Sequence, residues 1–218
     1  MRSDSIQPER PSDDRCTPFE HKVIPRHTAF RLQPELPDLT IQHVYASLIS
    51  DHDRNELIAS DLIRAVQAGR SPLLLTGRTE HLKYFDARIS GSVRNVFVLK
   101  GGMGKKQRQA IAAALATVPE GEQRVILATG SYIGEGFDDA RLDTLFLAMP
   151  ISWRGTLQQY VGRLHRLHDN KRVVQVYDYV DFQIPMLARM FERRLKGYSA
   201  IGYTVEGGKE NTIEPLSL

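Results

Sequence analysis

Ser71-Pro72-Leu73-Leu74-Leu75-Thr76, a helix-periodic stretch at about 80–90, and Val93-Arg94-Asn95-Val96-Phe97-Val98-Leu99 together decide the fold. The two apolar runs are too short for buried helices and are bounded by turn residues, so they read as strands joined by a helical crossover. The unit recurs. Arg124 to Ala128, Asp143 to Met149 and Val173 to Val180 are further β-type runs, and the periodicity predicts helices near 53–69, 105–117, 156–168 and 184–197. Near-continuous apolar strands alternating with helices imply a parallel sheet covered on both faces, hence a doubly wound α/β domain. In such sheets ligands sit at the carboxyl ends of strands, which directs attention to the loops after Thr76, Leu99, Ala128 and Met149.

Outward from this core the composition changes. Residues 1–40 carry Pro8, Pro11, Pro18, Pro25, Pro34 and Pro37 and are expected to form an extended interdomain arm without a core of its own. The α/β domain is expected over 41–203 and a flexible tail over 204–218. The chain has 218 residues, with 41% hydrophobic, 25% charged and one cysteine. These values suit a globular domain and exclude an internal disulfide or a cysteine-rich zinc site. No long apolar run or apolar leader is present, so a cytoplasmic location is expected, with no membrane association. The net charge of +3 is compatible with a polyanionic partner.

Three strand-end stretches carry chemistry. Lys100-Gly101-Gly102-Met103-Gly104-Lys105-Lys106-Gln107-Arg108 is a basic, glycine-rich helix entry suited to a phosphate, although a turn with solvated lysines fits it equally well. It is not a Walker A loop, because Lys106 stands where Ser or Thr is required. Thr129-Gly130-Ser131-Tyr132-Ile133-Gly134-Glu135-Gly136-Phe137-Asp138 lets the backbone approach a ligand, with Asp138 able to accept from a ribose; an αL turn with a capping Asp is the alternative. The most informative is Gln159-Tyr160-Val161-Gly162-Arg163-Leu164-His165-Arg166. At about 100° per residue, Gln159, Arg163 and Arg166 share one helix face opposite Leu157, Val161 and Leu164. Two forked guanidiniums beside an amide suit a triphosphate, and Gly162 would permit close approach. A solvated basic face would explain a lone arginine pair at this spacing.

Together these stretches resemble the C-terminal RecA-like domain of superfamily 2 (DEAD/DEAH-like) helicases and, more loosely, helicases of restriction and mobile-element defence systems. Gln159 to Arg166 matches the family's QxxGRxxR motif VI. Thr129-Gly130 with Gly134 to Asp138 is similar to motif V, Thr76 to Leu82 to motif IV, and Gly101-Gly102 through Arg108 to the turn between them. The resemblance implies that Arg163 and Arg166 act as arginine fingers toward ATP on a first RecA-like domain, with Gln159 sensing the γ-phosphate. It places Gly136 and Asp138 at the nucleotide, and Arg78, Gly101, Gly102, Arg108, Thr129 and Gly130 on a nucleic-acid backbone, single- or double-stranded, with DNA expected.

The departures carry equal weight. No Walker A loop and no Asp-Glu dipeptide occur in the sequence, so ATP and Mg2+ are expected to be held mainly by an N-terminal RecA-like partner domain, in the same gene or a separate chain, with no metal ligands here. The chain alone is expected to be inactive. The competing class is a non-catalytic nucleic-acid or protein binding module of RecA-like fold. That class needs basic residues but no register between Gln159, Arg163 and Arg166. A stand-alone ATPase would require the missing phosphate loop.

Overall fold

The structure, a computed structural model, describes residues 19–32, 40–130, 139–151, 157–169 and 171–207. Its strands are β1 (Glu20–His27), β2 (Pro72–Thr76), β3 (Asn95–Leu99), β4 (Arg124–Thr129), β5 (Thr144–Leu147), β6 (Val173–Val180) and β7 (Thr204–Val205). The helices among the described residues are α1 (Ile41–Ser50), α2 (His52–Gln67), α3 (Thr79–Ile89), α4 (Lys105–Thr117), α5 (Gln158–Leu164) and α6 (Pro185–Ala200). The strands form one sheet in the order β3-β4-β2-β5-β6-β1-β7. Every pairing is parallel, as the crossover pattern requires.

Alternation along each strand divides the core between two faces. Leu73, Leu75, Ile126, Ala128, Leu145 and Leu147 meet Leu115 of α4, Val161 and Leu164 of α5 and Tyr198 of α6. Leu74, Val125, Leu127 and Phe146 point the other way, onto Ile58 and Leu62 of α2 and Leu82 and Phe85 of α3. A smaller cluster of Phe30, Val44, Leu48, Met149, Ile184 and Leu187 seats α1 and the start of α6 beyond the ends of β1, β5 and β6. Burial of this kind contributes about 1.5–3 kcal/mol per large aliphatic or aromatic side chain.

The proline-rich stretch differs from its expected role. Glu20–His27 is not an arm but a full strand, paired residue for residue with β6 from Glu20↔Val173 to His27↔Val180. Its apolar signal is thin, and Pro25 reads as a breaker. Pro25 is tolerated because β7 pairs only with Lys22 and Val23, so that part of β1 is a sheet edge. The expected tail likewise begins with β7, hydrogen-bonded through Glu206 N to the Val23 carbonyl (2.8 Å). Helix α1 is a further element that the periodicity does not signal.

Buried charge pairs tie the layers. Arg54, fully buried on α2, donates through Nε to Asp181 (2.9 Å) and through Nη1 to the Ala148 carbonyl (2.7 Å). Arg194 of α6 forks onto Asp178 of β6 (2.7 and 2.8 Å), with Tyr198 donating to the same carboxylate (3.2 Å). Arg124 pairs with Asp139 at 2.6 Å.

Candidate nucleotide and nucleic-acid interface

The parallel register brings the glycine-rich turns to one edge of the sheet. Thr76 lies beside Thr129, and Leu99 beside Ala128, so the chain leaves β2, β3 and β4 at the same level. The exits are stitched together: Gly101 N–H donates to Thr129 Oγ1 at 3.0 Å. Gly102 has φ +80°, a left-handed value that a β-carbon would strain. Gly104 N–H donates to Gln107 Oε1 (3.3 Å), capping α4 and leaving Lys105 and Lys106 exposed beside the turn. Arg108 is half-buried one turn further on. An exposed, basic helix entry next to backbone amides can hold a phosphate.

After β2, Arg78 is exposed and donates from Nη2 to Gln42 Oε1 of α1 at 2.5 Å, a partner that no sequence spacing signals. Behind it His81 is fully buried, with Nδ1 3.0 Å from Thr76 Oγ1 and Nε2 2.8 Å from Asn55 Oδ1. Burial, with a smaller push from the Arg54 charge, lowers its pKa to about 3, so it is a neutral strut under the loop.

Helix α5 lies on the first sheet face. Leu157, Tyr160, Val161 and Leu164 are buried, whereas Gln158, Gln159 and Gly162 are exposed and Arg163 is half-buried. No described residue hydrogen-bonds or ion-pairs with the Arg163 guanidinium. Tyr160 donates its hydroxyl to the Gly130 carbonyl, joining the arginine helix to the end of β4. A β-carbon on Gly130 would stand 2.8 Å from that hydroxyl, so any larger residue there must displace the Tyr160 side chain.

One expectation for this helix changes. The periodicity continues to 168, but α5 ends at Leu164, and Arg166 lies past the cap at His165 rather than on the helix face. The reason is tertiary: Lys171, buried just before β6, donates from Nζ to the carbonyls of Leu164 (2.9 Å) and Arg166 (2.7 Å), replacing the continuing helix as their partner. Among the described residues Gly162 has open space beside it. Under the turn, Phe19, His21, His165 and Tyr203 pack ring against ring, with His165 Nε2 2.9 Å from Tyr203 Oη. Burial, then the charges of His21 and Lys171, lowers His165 to about 4; burial also lowers Lys171 to about 8, leaving it protonated at neutral pH.

Gly136 and Asp138 lie outside the described residues. Among the described residues no group of three or more His, Cys, Asp or Glu could hold a metal ion, and no helix is long and apolar enough to cross a membrane. Tyr160, Lys171 and Gln42 escape a reading of the sequence, because a core-stripe tyrosine, a lysine before a strand and a surface glutamine carry no signal without their partners.

The fold is an α/β RecA-like fold, shared with solved helicase structures. Among solved structures it superposes on T4 UvsW (TM-score 0.66, 19% identity, 87% of this chain and 41% of that one). It also superposes on the C-terminal part of the Fun30 ATPase domain (0.55, 13%, 65% and 46%). A third match is S. cerevisiae Dbp5 bound to RNA and ADP BeF3 (0.56, 11%, 87% and 41%). At these identities the likeness concerns fold. No protein-family model matches the chain. It belongs to the same family as uncharacterized protein 108L of Invertebrate iridescent virus 3, with 35% identity over 81 residues, 37% of this chain and 73% of that protein. It is also similar to transcript termination protein A18 of Vaccinia virus (strain Ankara), 26% identical over 128 residues. That match takes in 57% of this chain but only 25% of the viral protein, so the chain spans about a quarter of that relative's length.

Proposed function

We propose that this chain is the second motor domain of an ATP-dependent superfamily 2 helicase or translocase, lending arginines and strand contacts to an N-terminal RecA-like domain that binds ATP. The observation that carries the proposal is Arg163, which α5 holds outward between Gln159 and Arg166 with no described partner, while Tyr160 ties the same helix to the phosphate-suited loop at Gly130. In this reading Arg163 and Arg166 reach across the interdomain cleft and donate to oxygens that gain charge as the phosphoryl bond breaks; such a finger is worth ~10³–10⁵ in rate. Gln159 orients at the γ-phosphate. Bound ATP would supply the phosphoryl group and Mg2+ would neutralise its charge, and in this reading the partner domain holds both. Gly101, Gly102, Thr129 and Gly130 follow the nucleic-acid backbone, with Arg78 and Arg108 beside them, and Gly136 and Asp138 are assigned to the nucleotide. DNA is the proposed strand and the cytoplasm the proposed compartment.

The chain alone should not turn over ATP, with or without single-stranded DNA or RNA. It should bind nucleic acid weakly, with little sequence preference, and progressively less as salt rises, because the contacts release counterions. Joined to the ATP-binding domain, Arg163→Ala should lower kcat by at least ~10³-fold, with a smaller effect on KM and with Lys a poor substitute. Normal turnover by Arg163→Ala in the joined protein would sink the assignment. A salt-insensitive or strongly sequence-specific complex would contradict the strand contacts.

A further inference from the structure

We infer that Lys171 is a positioning residue for the proposed arginine fingers: its ammonium, clamped on the carbonyls of Leu164 and Arg166, sets where Arg166 stands relative to Arg163. The inference rests on the finger reading above and adds a device that motif spacing does not contain.

The geometry needs such a device. Helical periodicity would carry Arg166 on the face of Arg163, yet α5 stops at Leu164 and Arg166 sits in the following turn. Backbone bonds hold that turn poorly: Arg166 N reaches the Arg163 carbonyl at 3.4 Å and His165 N the Gly162 carbonyl at 3.3 Å, both at the long end of the range. The two Lys171 bonds, at 2.9 and 2.7 Å, are the short, charge-assisted ones. They fall on the helix's carboxyl end, where free carbonyls and the helix dipole favour a cation.

The clamp is itself fixed to the sheet. Lys171 adjoins β6, its backbone N–H donates to the His168 carbonyl (3.0 Å), and its ammonium lies 5.6 Å from the centre of the Phe19 ring, just ahead of β1. Arg166 is thereby referenced to the β1–β6 pair as well as to its own helix. A shift of about 1 Å in a group that meets a transition state can cost ~10²-fold in rate, so holding this turn matters more than its share of stability.

Carbonyl-carbon NMR of the chain tests the clamp. In the wild type, couplings across the hydrogen bonds should link Lys171 Nζ to the Leu164 and Arg166 carbonyl carbons, a measurement that needs no variant. In Lys171→Met both carbonyl signals should move toward unbonded values and the Arg166 region should exchange faster, while melting stays cooperative. In the protein joined to its ATP-binding domain, Lys171→Met should lower kcat ~10-fold or more with KM for ATP within about twofold, and Lys171→Arg should recover most of the loss. Absent couplings, or a wild-type kcat for Lys171→Met where Arg163→Ala is slow, would overturn the inference. If Arg163→Ala is not slow, the finger reading fails instead, and the couplings still decide whether Lys171 holds the turn. Should Lys171→Met not fold, Lys171→Gln and the wild-type couplings decide the matter by the same criteria.

Discussion

Tyr160 and Gly130 show how a single contact couples two loops that the sequence keeps thirty residues apart. Gly130→Ala would force away the Tyr160 hydroxyl, 2.8 Å from the new methyl, and the hydroxyl would lose its carbonyl. We expect a loss of about 1–3 kcal/mol, against about 0.5–1.5 kcal/mol for Tyr160→Phe, with the double variant less destabilised than the sum because Phe removes the clashing oxygen. Chemical denaturation of the four proteins measures this. The buried histidines set the acid limit. His81 titrates near 3 and His165 near 4 in the folded chain, and burial lowers His21 as well, whereas each takes a proton near 6.5 when unfolded. The unfolded state therefore binds more protons below that value, so stability is complete above pH ~6.5 and drains as pH falls toward 4 and then 3. Between pH 7 and 5 the His81 contribution alone should fall by ~2 kcal/mol, and His81→Gln should flatten the melting-temperature profile over that interval.

At the scale of elements, α6 separates what periodicity can and cannot read. Its spacing implies an amphipathic helix with Arg189, Arg193, Arg194 and Lys196 on a solvated basic face. Arg194 instead is buried and forked onto Asp178, whereas Arg193 is exposed. Removing Arg194 strands a carboxylate between Tyr198 and the sheet, so Arg194→Ala should cost about 3–5 kcal/mol, while Arg193→Ala should stay within about 0.5 kcal/mol. Thermal melts of the two variants side by side test the distinction; equal melting temperatures would contradict it. Arg54 and Asp181 repeat the arrangement between α2 and the end of β6, so both flanks of the sheet are registered by an arginine fork.

For the whole molecule the telling strand is β1. It lies between β6 and β7 in space, although more than 140 residues separate it from either in sequence. Phe19 and Val23 are buried by it, and Phe19 faces the ammonium that clamps the arginine turn. A chain beginning at Thr28 loses these two side chains from the core and exposes a long edge on β6. Taking about 1.5–3 kcal/mol for each, its melting temperature should drop by roughly 10 °C or more, and the bare edge should promote aggregation. Scanning calorimetry with light scattering checks both; an unchanged melt would mean that β1 is an appendage.

The alternation of apolar runs and periodic stretches between Arg54 and Ala200 determined the doubly wound sheet by itself, because burial on both faces leaves a pattern in each strand and its crossover helix. The positions of the exposed glycines, Gln159 and Arg163 were legible for the same reason: each falls at a strand end or opposite a core stripe. Tertiary structure alone decided the membership of β1, whose partners are distant and whose apolar residues are few. It also decided that Arg194 is buried, that α5 ends at Leu164, and that Arg78, Tyr160 and Lys171 have the partners they do. A charged or polar side chain looks the same in a sequence whether water or a carboxylate receives it, and only the packed sheet determines which one does.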